Sequence, residues 1–358
     1  MKKIVLTGGG TAGHVTPNIA LLPALQAAGY EIAYVGSYEG IEKKLIADFN
    51  IPYTGISTGK FRRYLDPKNF SDPFRVMKGF VEARNYLKNY QPDVVFSKGG
   101  FVSVPVVRAA ASLHIPCIIH ESDMTPGLAN KLCIPVAEKV CCNFPETMKN
   151  IPADKAVLTG SPIRAELAEG SKLAGLNMCG FTANKPVLMV IGGSLGAANV
   201  NKAVRDALPK LLEDFQVVHL CGKDKIDNLL LNTPGYKQFE YIKAELKDIF
   251  AMADVVISRA GANAICELLA LKKPNILIPL PAASSRGDQL LNAASFEAQG
   301  YSIVLNEDDI TTNLLVDKVH ELYFNRQNYV DAMSKSHQMD AVKTIMELIN
   351  AAADKKTN

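Results

Sequence analysis

The fold is decided near the start of the chain by residues 3–14, KIVLTGGGTAGH. A short run of β-branched and leucine residues ends in a glycine-rich turn, and a segment of helical length, residues 18–28, follows it. A strand, a glycine turn and a helix in this order are typical of the first unit of a doubly wound α/β domain. We therefore predict a Rossmann-like parallel sheet whose first strand begins at residue 3.

Short apolar runs continue to alternate with helical segments along the chain. In the first half they predict strands at residues 3–7, 31–35, 52–56, 93–97, 116–120, 139–142 and 156–159. A second series predicts strands at residues 186–191, 216–221, 239–242, 254–258, 275–279 and 302–305. Runs of this kind are buried on both faces, so they indicate two parallel sheets covered by helices.

The length of the chain and the restart of the pattern predict two domains. A chain of 358 residues is long for a single core. Residues 165–185 carry no strong strand signal and are interpreted as the passage between the units. We expect an N-terminal domain at 1–163 and a C-terminal domain at 164–339 that face each other across a cleft. Residues 340–358 are expected to form a helix that packs back on the first domain.

Composition limits the class of protein. Hydrophobic residues make up 48% of the chain and charged residues 21%, which is typical of a globular protein. A formal net charge of +3 is too small to indicate a nucleic-acid partner. The chain opens with MKKIVL and no signal-peptide pattern, and its apolar runs are too short to span a bilayer. We therefore expect neither export nor a membrane-spanning helix.

The cysteines and histidines form no recognisable metal motif. The seven cysteines show no C-x-x-C spacing, and the six histidines show no H-E-x-x-H arrangement. We expect reduced, buried thiols, no metal held by the protein and no cofactor.

Four glycine-rich turns follow predicted strands, at residues 8–13, 98–103, 192–197 and 259–263. Such turns bring backbone N–H groups and a helix N terminus close to a phosphate, although they also serve as simple tight turns. Residues 8–13 contain a literal G-x-G-x-x-G, but a dinucleotide site also needs an acidic residue at the end of the second strand. That strand ends in Val35, Gly36 and Ser37, which disfavours a nicotinamide oxidoreductase. All four turns follow the carboxyl ends of strands, two in each half, so we expect a phosphate-binding site between the two domains.

Seven motifs occur in order along the chain, namely GGTAGH (9–14), SKGGFVSVP (97–105), HESDMTPGLANK (120–131), GSPIR (160–164), GGSLGA (192–197), SRAGANAICE (258–267) and DQLLNA (288–293). In these motifs the chain resembles the MurG family of peptidoglycan N-acetylglucosaminyltransferases over essentially its whole length. The resemblance implies a GT-B fold and inverting transfer of GlcNAc from UDP-GlcNAc to the 4-hydroxyl of undecaprenyl-pyrophosphoryl-MurNAc-pentapeptide. It also implies a peripheral protein on the cytoplasmic face of the cell membrane.

The resemblance further implies a set of donor-binding residues. The diphosphate and ribose are expected near Ala262, Asn263, Ala264 and Glu267, and the diphosphate also at Ser194. The uracil is expected near Arg164 and Ile242, and the sugar hydroxyls at Gln289. Four residues of the first half are expected to border the donor, namely Thr11, Ala12, Gly13 and Asp123. Many members carry asparagine in place of Asp123 and tyrosine in place of Phe101. An ionised Asp123 would be repelled by a diphosphate, so Gln289 is the more secure donor contact of the two.

Two residues are candidates for the base that deprotonates the acceptor hydroxyl. His14 ends the first glycine turn, and an ordinary imidazole pKa of roughly 6.5 suits proton abstraction near neutral pH. Glu121 follows the fifth strand and is expected to act either as the base or to orient the acceptor. The turns at 192–196 and 261–263, rather than a metal ion, are expected to stabilise the leaving diphosphate.

One segment, residues 60–88, combines eight lysines and arginines with aromatic and aliphatic side chains and has few acidic residues. A basic amphipathic segment of this kind is typical of proteins that associate with anionic lipid. We expect it to dock on an anionic membrane surface.

Three alternatives remain at this stage. The nearest is a UDP-GlcNAc 2-epimerase of GT-B type, which would use a donor site but no lipid acceptor. The second is a nicotinamide oxidoreductase, which is disfavoured because the sequence lacks the acidic residue that would bind the ribose. A nucleotide-sugar sensor would not need His14 or Glu121.

Overall fold

The computed structural model describes residues 1–59, 68–192, 197–282, 287–336 and 340–357. The chain divides into two compact units, of which the first comprises Met1–Arg164 and Asp340–Asn358 and the second Ala165–Met339. We refer to them as unit 1 and unit 2.

Unit 1 is built on a parallel sheet of seven strands, in the order β3-β2-β1-β4-β5-β6-β7. The strands are β1 Lys3–Thr7, β2 Glu31–Ser37, β3 Tyr53–Ile56, β4 Val94–Ser97, β5 Cys117–Glu121, β6 Lys139–Cys142 and β7 Ala156–Leu158. Alternate residues of β1 enter two different cores, with Val5 on one face and Ile4 and Leu6 on the other. Burial on both faces explains why the strand sequences are continuous apolar runs.

Helices cover both faces of this sheet. They are α1 Thr16–Ala27, α2 Ile41–Ile46, α3 Lys68–Tyr90, α4 Ser103–Ser112, α5 Leu128–Cys133 and α6 Pro145–Met148. Helix α4 packs against α3 on the face that contains Val5. Helix α1 carries Leu21 and Leu25 into the other core. The loops lie at the carboxyl-terminal edge of the sheet, between the two helical layers.

Unit 2 repeats this winding with six parallel strands, in the order β10-β9-β8-β11-β12-β13. The strands are β8 Val187–Ile191, β9 Gln216–Leu220, β10 Tyr236–Phe239, β11 Val255–Ser258, β12 Asn275–Leu277 and β13 Ser302–Val304. The helices are α7 Lys172–Cys179, α8 Ala198–Asp214, α9 Leu246–Met252, α10 Ala262–Ala270, α11 Asp288–Ala298, α12 Thr312–Phe324 and α13 Arg326–Ser334. The prediction of two doubly wound parallel sheets is confirmed.

The last helix, α14 Ala341–Thr357, belongs to unit 1. Ile345 and Ile349 are fully buried in the core that α1 also lines. The Tyr30 hydroxyl donates to Asn350 Oδ1 at 2.8 Å, and Lys2 pairs with Asp354 at 2.6 Å. The chain therefore returns to its first unit after completing the second.

One local prediction differs from the structure. The strand expected at 239–242 is wrong, because β10 spans Tyr236–Phe239. Tyr236 and Gln238 are buried, while Lys237 between them is exposed. This run pairs with β9 although it contains polar residues. Residues 165–185, which carried no strand signal, include helix α7, which packs against α9.

Within the described ranges, no helix has both the length and the apolar character needed to cross a bilayer.

Candidate active site

In unit 1 the strand order changes direction at β1, which pairs with β2 on one side and β4 on the other. The glycine turns at 8–13 and 98–103 follow these two strands at the same edge of the sheet, where doubly wound folds bind ligands. Gly100 has φ +82°, and a Cβ there would collide with the carbonyl oxygen of Gly9 and lie 3.1 Å from His14 Nδ1. Glycine at this position therefore allows the two turns to touch.

His14 ends the first turn in a short 3-10 helix, Ala12–His14. Its ring is half-buried, while Thr11 and Ala12 are exposed. His14 Nδ1 lies 3.0 Å from Thr11 Oγ1, and the His14 backbone N–H donates to the Thr11 carbonyl at 3.1 Å. When Nδ1 carries the proton and donates to Thr11, Nε2 is left as the basic nitrogen. The turn therefore holds an imidazole whose Nδ1 has a hydroxyl partner.

A buried polar network lies behind the second turn. Lys98, 1% exposed, directs its ammonium to His120 Nδ1 at 3.0 Å and to the Ser122 hydroxyl. His120 Nε2 lies 2.9 Å from the Gly160 carbonyl oxygen. Because an ammonium only donates, Nδ1 must accept and Nε2–H must donate. Burial and the Lys98 charge lower the pKa of His120 well below its usual value, so this histidine is neutral and structural.

Glu121 is 4% exposed, and the carboxylate is bonded within the loop that follows β5. One oxygen accepts from the Asp123 N–H at 3.0 Å. The other accepts from the Gly127 N–H at 3.0 Å and from Asn130 Nδ2 at 2.8 Å. Three donors on two oxygens hold the loop at 122–127 in place. This geometry suits a residue that positions the loop.

Asp123 lies in this braced loop and is half-buried. Its N–H donates to Glu121, and its carbonyl oxygen accepts from the Thr147 hydroxyl at 3.2 Å. The backbone of Asp123 is therefore fixed from both sides.

In unit 2 the strand order changes direction at β8, which pairs with β9 and β11. Ser194, predicted in the turn after β8, lies outside the described residues. The turn after β11 is held by Arg259, whose guanidinium donates to the carbonyl oxygens of Ile278 at 3.0 Å and Pro279 at 3.2 Å. The same guanidinium pairs with Glu307. Arg259 therefore ties the turn to the end of β12.

Helix α10 begins directly after this turn. Its N-cap is Gly261, which provides no side-chain cap, and Ala262, Asn263 and Ala264 form the first turn. All three are half-buried, as is Glu267 four residues after Asn263. Residues four apart share one face of a helix, so Asn263 and Glu267 lie side by side. The N–H groups and the helix dipole favour a negative charge at this end.

Helix α11 begins beside the same turn, because Asn292 Nδ2 donates to the Ala260 carbonyl at 3.2 Å. Gln289, in its first turn, accepts the Leu280 N–H on Oε1 at 3.1 Å. That bond identifies Oε1 as the acceptor and fixes the orientation of the amide. The structure therefore brings Asn263, Glu267 and Gln289 to one edge of the unit 2 sheet.

Two further predicted residues lie elsewhere. Ile242 follows β10 and is 4% exposed, so a ligand would meet its backbone and not its side chain. Arg164 is the last residue of unit 1 and is half-buried.

Among the residues that the structure describes, no group of three or more histidine, cysteine or acidic side chains is arranged to hold a metal ion. All seven cysteines are buried, and none of them forms a disulfide.

Sequence reasoning missed Glu42 and Lys98, both of which are buried at the mouth of the unit 1 sheet. Lys98 lies in the motif SKGGFVSVP, so its position directly before two glycines was the signal that could have identified it. Glu42 lies 32 residues from the turn that it contacts, so no local signal pointed to it.

Comparison with known proteins identifies the family. The N-terminal domain model of glycosyltransferase family 28 matches residues 4–142, and the C-terminal domain model matches residues 187–349. A UDP-N-acetylglucosamine--N-acetylmuramyl-(pentapeptide) pyrophosphoryl-undecaprenol N-acetylglucosamine transferase of Lachnospira eligens is 65% identical over 98% of this chain and 99% of its own length. The chain belongs to glycosyltransferase family 28 and, within it, to the MurG family.

Structural similarity agrees with membership of the MurG family. The crystal structure of Acinetobacter baumannii MurG superimposes with a TM-score of 0.77 at 29% identity and covers 98% of this chain and all of that one. A putative UDP-N-acetylglucosamine 2-epimerase from Listeria monocytogenes gives a TM-score of 0.72 at 12% identity, covering 99% of this chain and 98% of its own. The GT-B fold class is thereby confirmed. The second likeness concerns the fold alone, so sequence rather than architecture separates the two activities.

Proposed function

We propose that this protein transfers N-acetylglucosamine, with inversion, from UDP-GlcNAc to the 4-hydroxyl of lipid-linked MurNAc-pentapeptide in peptidoglycan synthesis. The observation that carries the proposal is the 65% identity, over nearly the whole chain, to a transferase of that name. The geometry of the two sheet edges gives each substrate a plausible chemical environment.

Unit 2, corresponding to the expected domain at 164–339, binds the donor in this proposal. The N terminus of α10, with Ala262, Asn263 and Ala264, receives the diphosphate, since the N–H groups of a first helical turn and the helix dipole favour an anion there. Glu267, on the same helix face as Asn263, accepts hydrogen bonds from both hydroxyls of the ribose. The NH2 group of Gln289 donates to a sugar hydroxyl.

The uracil and the rest of the diphosphate involve residues whose contacts are proposed from the family pattern. Ile242 offers backbone groups to the base, because its side chain is buried. Arg164 supports the uracil end, and Ser194 is assigned to the diphosphate. Thr11, Ala12, Gly13 and Asp123 border the donor from unit 1.

His14 is the proposed general base. With Nδ1–H donated to Thr11, Nε2 accepts the proton of the acceptor hydroxyl as that oxygen attacks the anomeric carbon. Glu121 is assigned a positioning role, because its carboxylate already accepts two hydrogen bonds from the loop at 122–127 and one from Asn130 on α5. The buried, neutral His120 takes no part in proton transfer.

The leaving group is a diphosphate that gains negative charge as the glycosidic bond breaks. Preorganised N–H donors at a helix start stabilise such charge without reorganisation. We assign this role to α10 and to the turn at 192–196. Turnover is therefore expected to persist with a chelator present.

Unit 1, with α14 and the expected domain at 1–163, holds the acceptor and meets the membrane in this proposal. On α3, Phe74, Met77 and Val81 are 79%, 63% and 52% exposed. Together with Lys78 they follow the i, i+3, i+4, i+7 spacing of one helix face, and Arg75 lies beside them. Exposed apolar groups flanked by basic ones suit peripheral docking on an anionic leaflet. Residues 60–67 of the predicted segment lie outside the described residues.

This docking would place the protein on the cytoplasmic face of the cell membrane, where it meets a lipid-linked acceptor. Its product would serve cell wall synthesis and thereby cell shape and division. No nucleic acid takes part.

Release of UDP tests the proposal against the epimerase alternative. The purified protein is incubated with UDP-GlcNAc and a chelator, with and without a lipid-pyrophosphate MurNAc-pentapeptide. We expect UDP only when the acceptor is present. Conversion of UDP-GlcNAc to UDP-ManNAc without acceptor would support the epimerase and exclude the transferase.

A further inference from the structure

Glu42 is fully buried at the start of α2 and directs its carboxylate into the first glycine turn. Oε2 accepts the N–H of Gly10 at 3.1 Å. Oε1 accepts the N–H of Ser37 at 2.9 Å and also contacts the Ser37 hydroxyl. One carboxylate therefore links the turn after β1 to the end of β2.

The glycine turn that Glu42 contacts corresponds to the turn that binds an anion in dinucleotide-binding folds. In dinucleotide-binding domains, the N–H groups of the turn after the first strand hold the pyrophosphate. Here the Gly10 N–H is already bonded to an anionic oxygen of the protein itself. A Cβ added at Gly9 would lie 2.5 Å from the Glu42 carboxyl carbon, so the carboxylate is packed directly against the turn. A phosphate at this position would face both a clash and a like charge.

Neighbouring groups brace the same turn. The Tyr34 hydroxyl donates to the Gly8 carbonyl at 2.7 Å, and Asn18 Nδ2 donates to the Thr7 carbonyl at 3.0 Å. The Tyr53 hydroxyl donates to the Ser37 carbonyl. Burial first, and the Glu42 charge in addition, raise the pKa values of Tyr34 and Tyr53, so both remain neutral donors. The turn is thus fixed on one side by tyrosine and asparagine and on the other by Glu42.

We infer that Glu42 is a positioning residue for the transfer reaction, which holds the first glycine turn, and with it Thr11 and His14, in a conformation closed to phosphate. The turn then presents the base, and the pyrophosphate of the acceptor binds elsewhere in unit 1. This inference rests on the proposed function, because it assigns Glu42 a role through His14.

Replacement by glutamine makes the inference testable. Glu42→Gln retains the size of the side chain but has a single carbonyl oxygen, so the N–H groups of Gly10 and Ser37 no longer both meet an acceptor. The turn should shift, and small displacements of catalytic groups lower turnover by about 100-fold. We expect kcat to fall roughly 10- to 100-fold with the KM for UDP-GlcNAc unchanged, since the donor binds mainly to unit 2.

A double-mutant cycle with His14→Ala separates positioning from general destabilisation. Acceptor-dependent UDP release is measured for wild type, Glu42→Gln, His14→Ala and the double variant, below the unfolding temperature of each. If Glu42 acts through His14, Glu42→Gln should cost little further turnover once His14 is absent. Glu39→Gln, an exposed carboxylate three residues earlier, is the matched control and should retain wild-type turnover. If Glu42→Gln does not fold, Ser37→Ala removes one donor to the carboxylate and replaces it in the cycle.

The outcomes are distinct. Equal fold-losses in both backgrounds, or unchanged kcat in Glu42→Gln, would overturn the inference while leaving the transferase activity intact. Near-normal turnover of His14→Ala would overturn the base assignment and the role of Glu42 together. Absence of acceptor-dependent UDP release in the wild-type protein would instead refute the proposed function.

Discussion

The Nδ1 atom of His14 lies 3.0 Å from the hydroxyl oxygen of Thr11, within the same turn. A hydroxyl can donate or accept, so this contact is compatible with either neutral tautomer of the imidazole. In the tautomer that the proposed function uses, Nδ1–H donates to Thr11 and Nε2 is the basic nitrogen. The threonine hydroxyl then orients the ring without itself moving a proton.

Substitution of Thr11 tests the role of this contact. Thr11→Val keeps the shape of the side chain and removes the hydroxyl, so we expect kcat to fall roughly tenfold because the His14 ring loses the hydrogen bond that orients it. Thr11→Ser retains the hydroxyl and serves as the control, with turnover near that of wild type. Steady-state kinetics of UDP release provides the measurement. Turnover of Thr11→Val as high as that of Thr11→Ser would show that the hydroxyl has no such role.

Glu267 tests the donor site. Loss of a carboxylate that binds two ribose hydroxyls should weaken UDP binding by roughly 10- to 100-fold, since hydrogen bonds to charged groups contribute about 1.5–3 kcal/mol. Titration calorimetry of Glu267→Gln with UDP checks this. Glu297→Gln, on the exposed face of α11, is the control and should bind like wild type. Wild-type affinity in Glu267→Gln would remove this residue from the site.

The basic residues of α3 test membrane docking. Arg75→Glu combined with Lys78→Glu should weaken binding to vesicles of phosphatidylglycerol and phosphatidylcholine roughly 10- to 100-fold, because each basic residue near an anionic surface contributes about 1 kcal/mol. Wild-type binding should also fall as salt is added. Lys149→Glu, an exposed lysine outside α3, is the control. Vesicle binding that is insensitive to salt and to both charge reversals would contradict the assignment.

His219 predicts a pH dependence of stability in unit 2. It is fully buried between Tyr236 and Asn201, and burial, with a smaller contribution from Arg205, lowers its pKa to about 3. An unfolded histidine, with a pKa of about 6.5, binds a proton that the folded one excludes. Stability is therefore fully present above pH 6.5 and is lost progressively as pH falls towards 3.

At pH 5 this histidine should lower the free energy of unfolding by about 2 kcal/mol relative to pH 7.5. We expect His219→Gln to be less stable than wild type at pH 7.5 but to lose less on acidification to pH 5. Denaturant unfolding at both pH values makes the comparison. Parallel losses in the two proteins would show that other groups govern the acid sensitivity.

Much of the fold could be predicted because it depends on local periodicity. The strands buried on both faces, such as Val255–Ser258, are continuous apolar runs and were recognisable. The strand at Tyr236–Phe239 was misplaced because Lys237 and Gln238 interrupt the apolar run, and only pairing with β9 reveals it. Tertiary partners decided this element.

The candidate site divides in the same way. Motifs identified His14, Asn263 and Gln289 by residue type, and the structure adds which of their atoms are already bonded. The bracing of Glu121 by its own loop, and of the first turn by Glu42, depends on contacts that the sequence does not specify. The literal G-x-G-x-x-G is the weakest guide to phosphate binding, because a buried carboxylate already accepts the Gly10 N–H of that turn.

The configuration of the newly formed linkage tests the central claim most directly. The product of UDP-GlcNAc and the lipid-pyrophosphate MurNAc-pentapeptide is isolated, and its disaccharide is analysed by proton NMR for anomeric coupling and linkage position. An inverting transferase with His14 as base predicts a β-linked GlcNAc on the 4-hydroxyl of MurNAc. An α-linked sugar, or a sugar on another hydroxyl, would contradict the account.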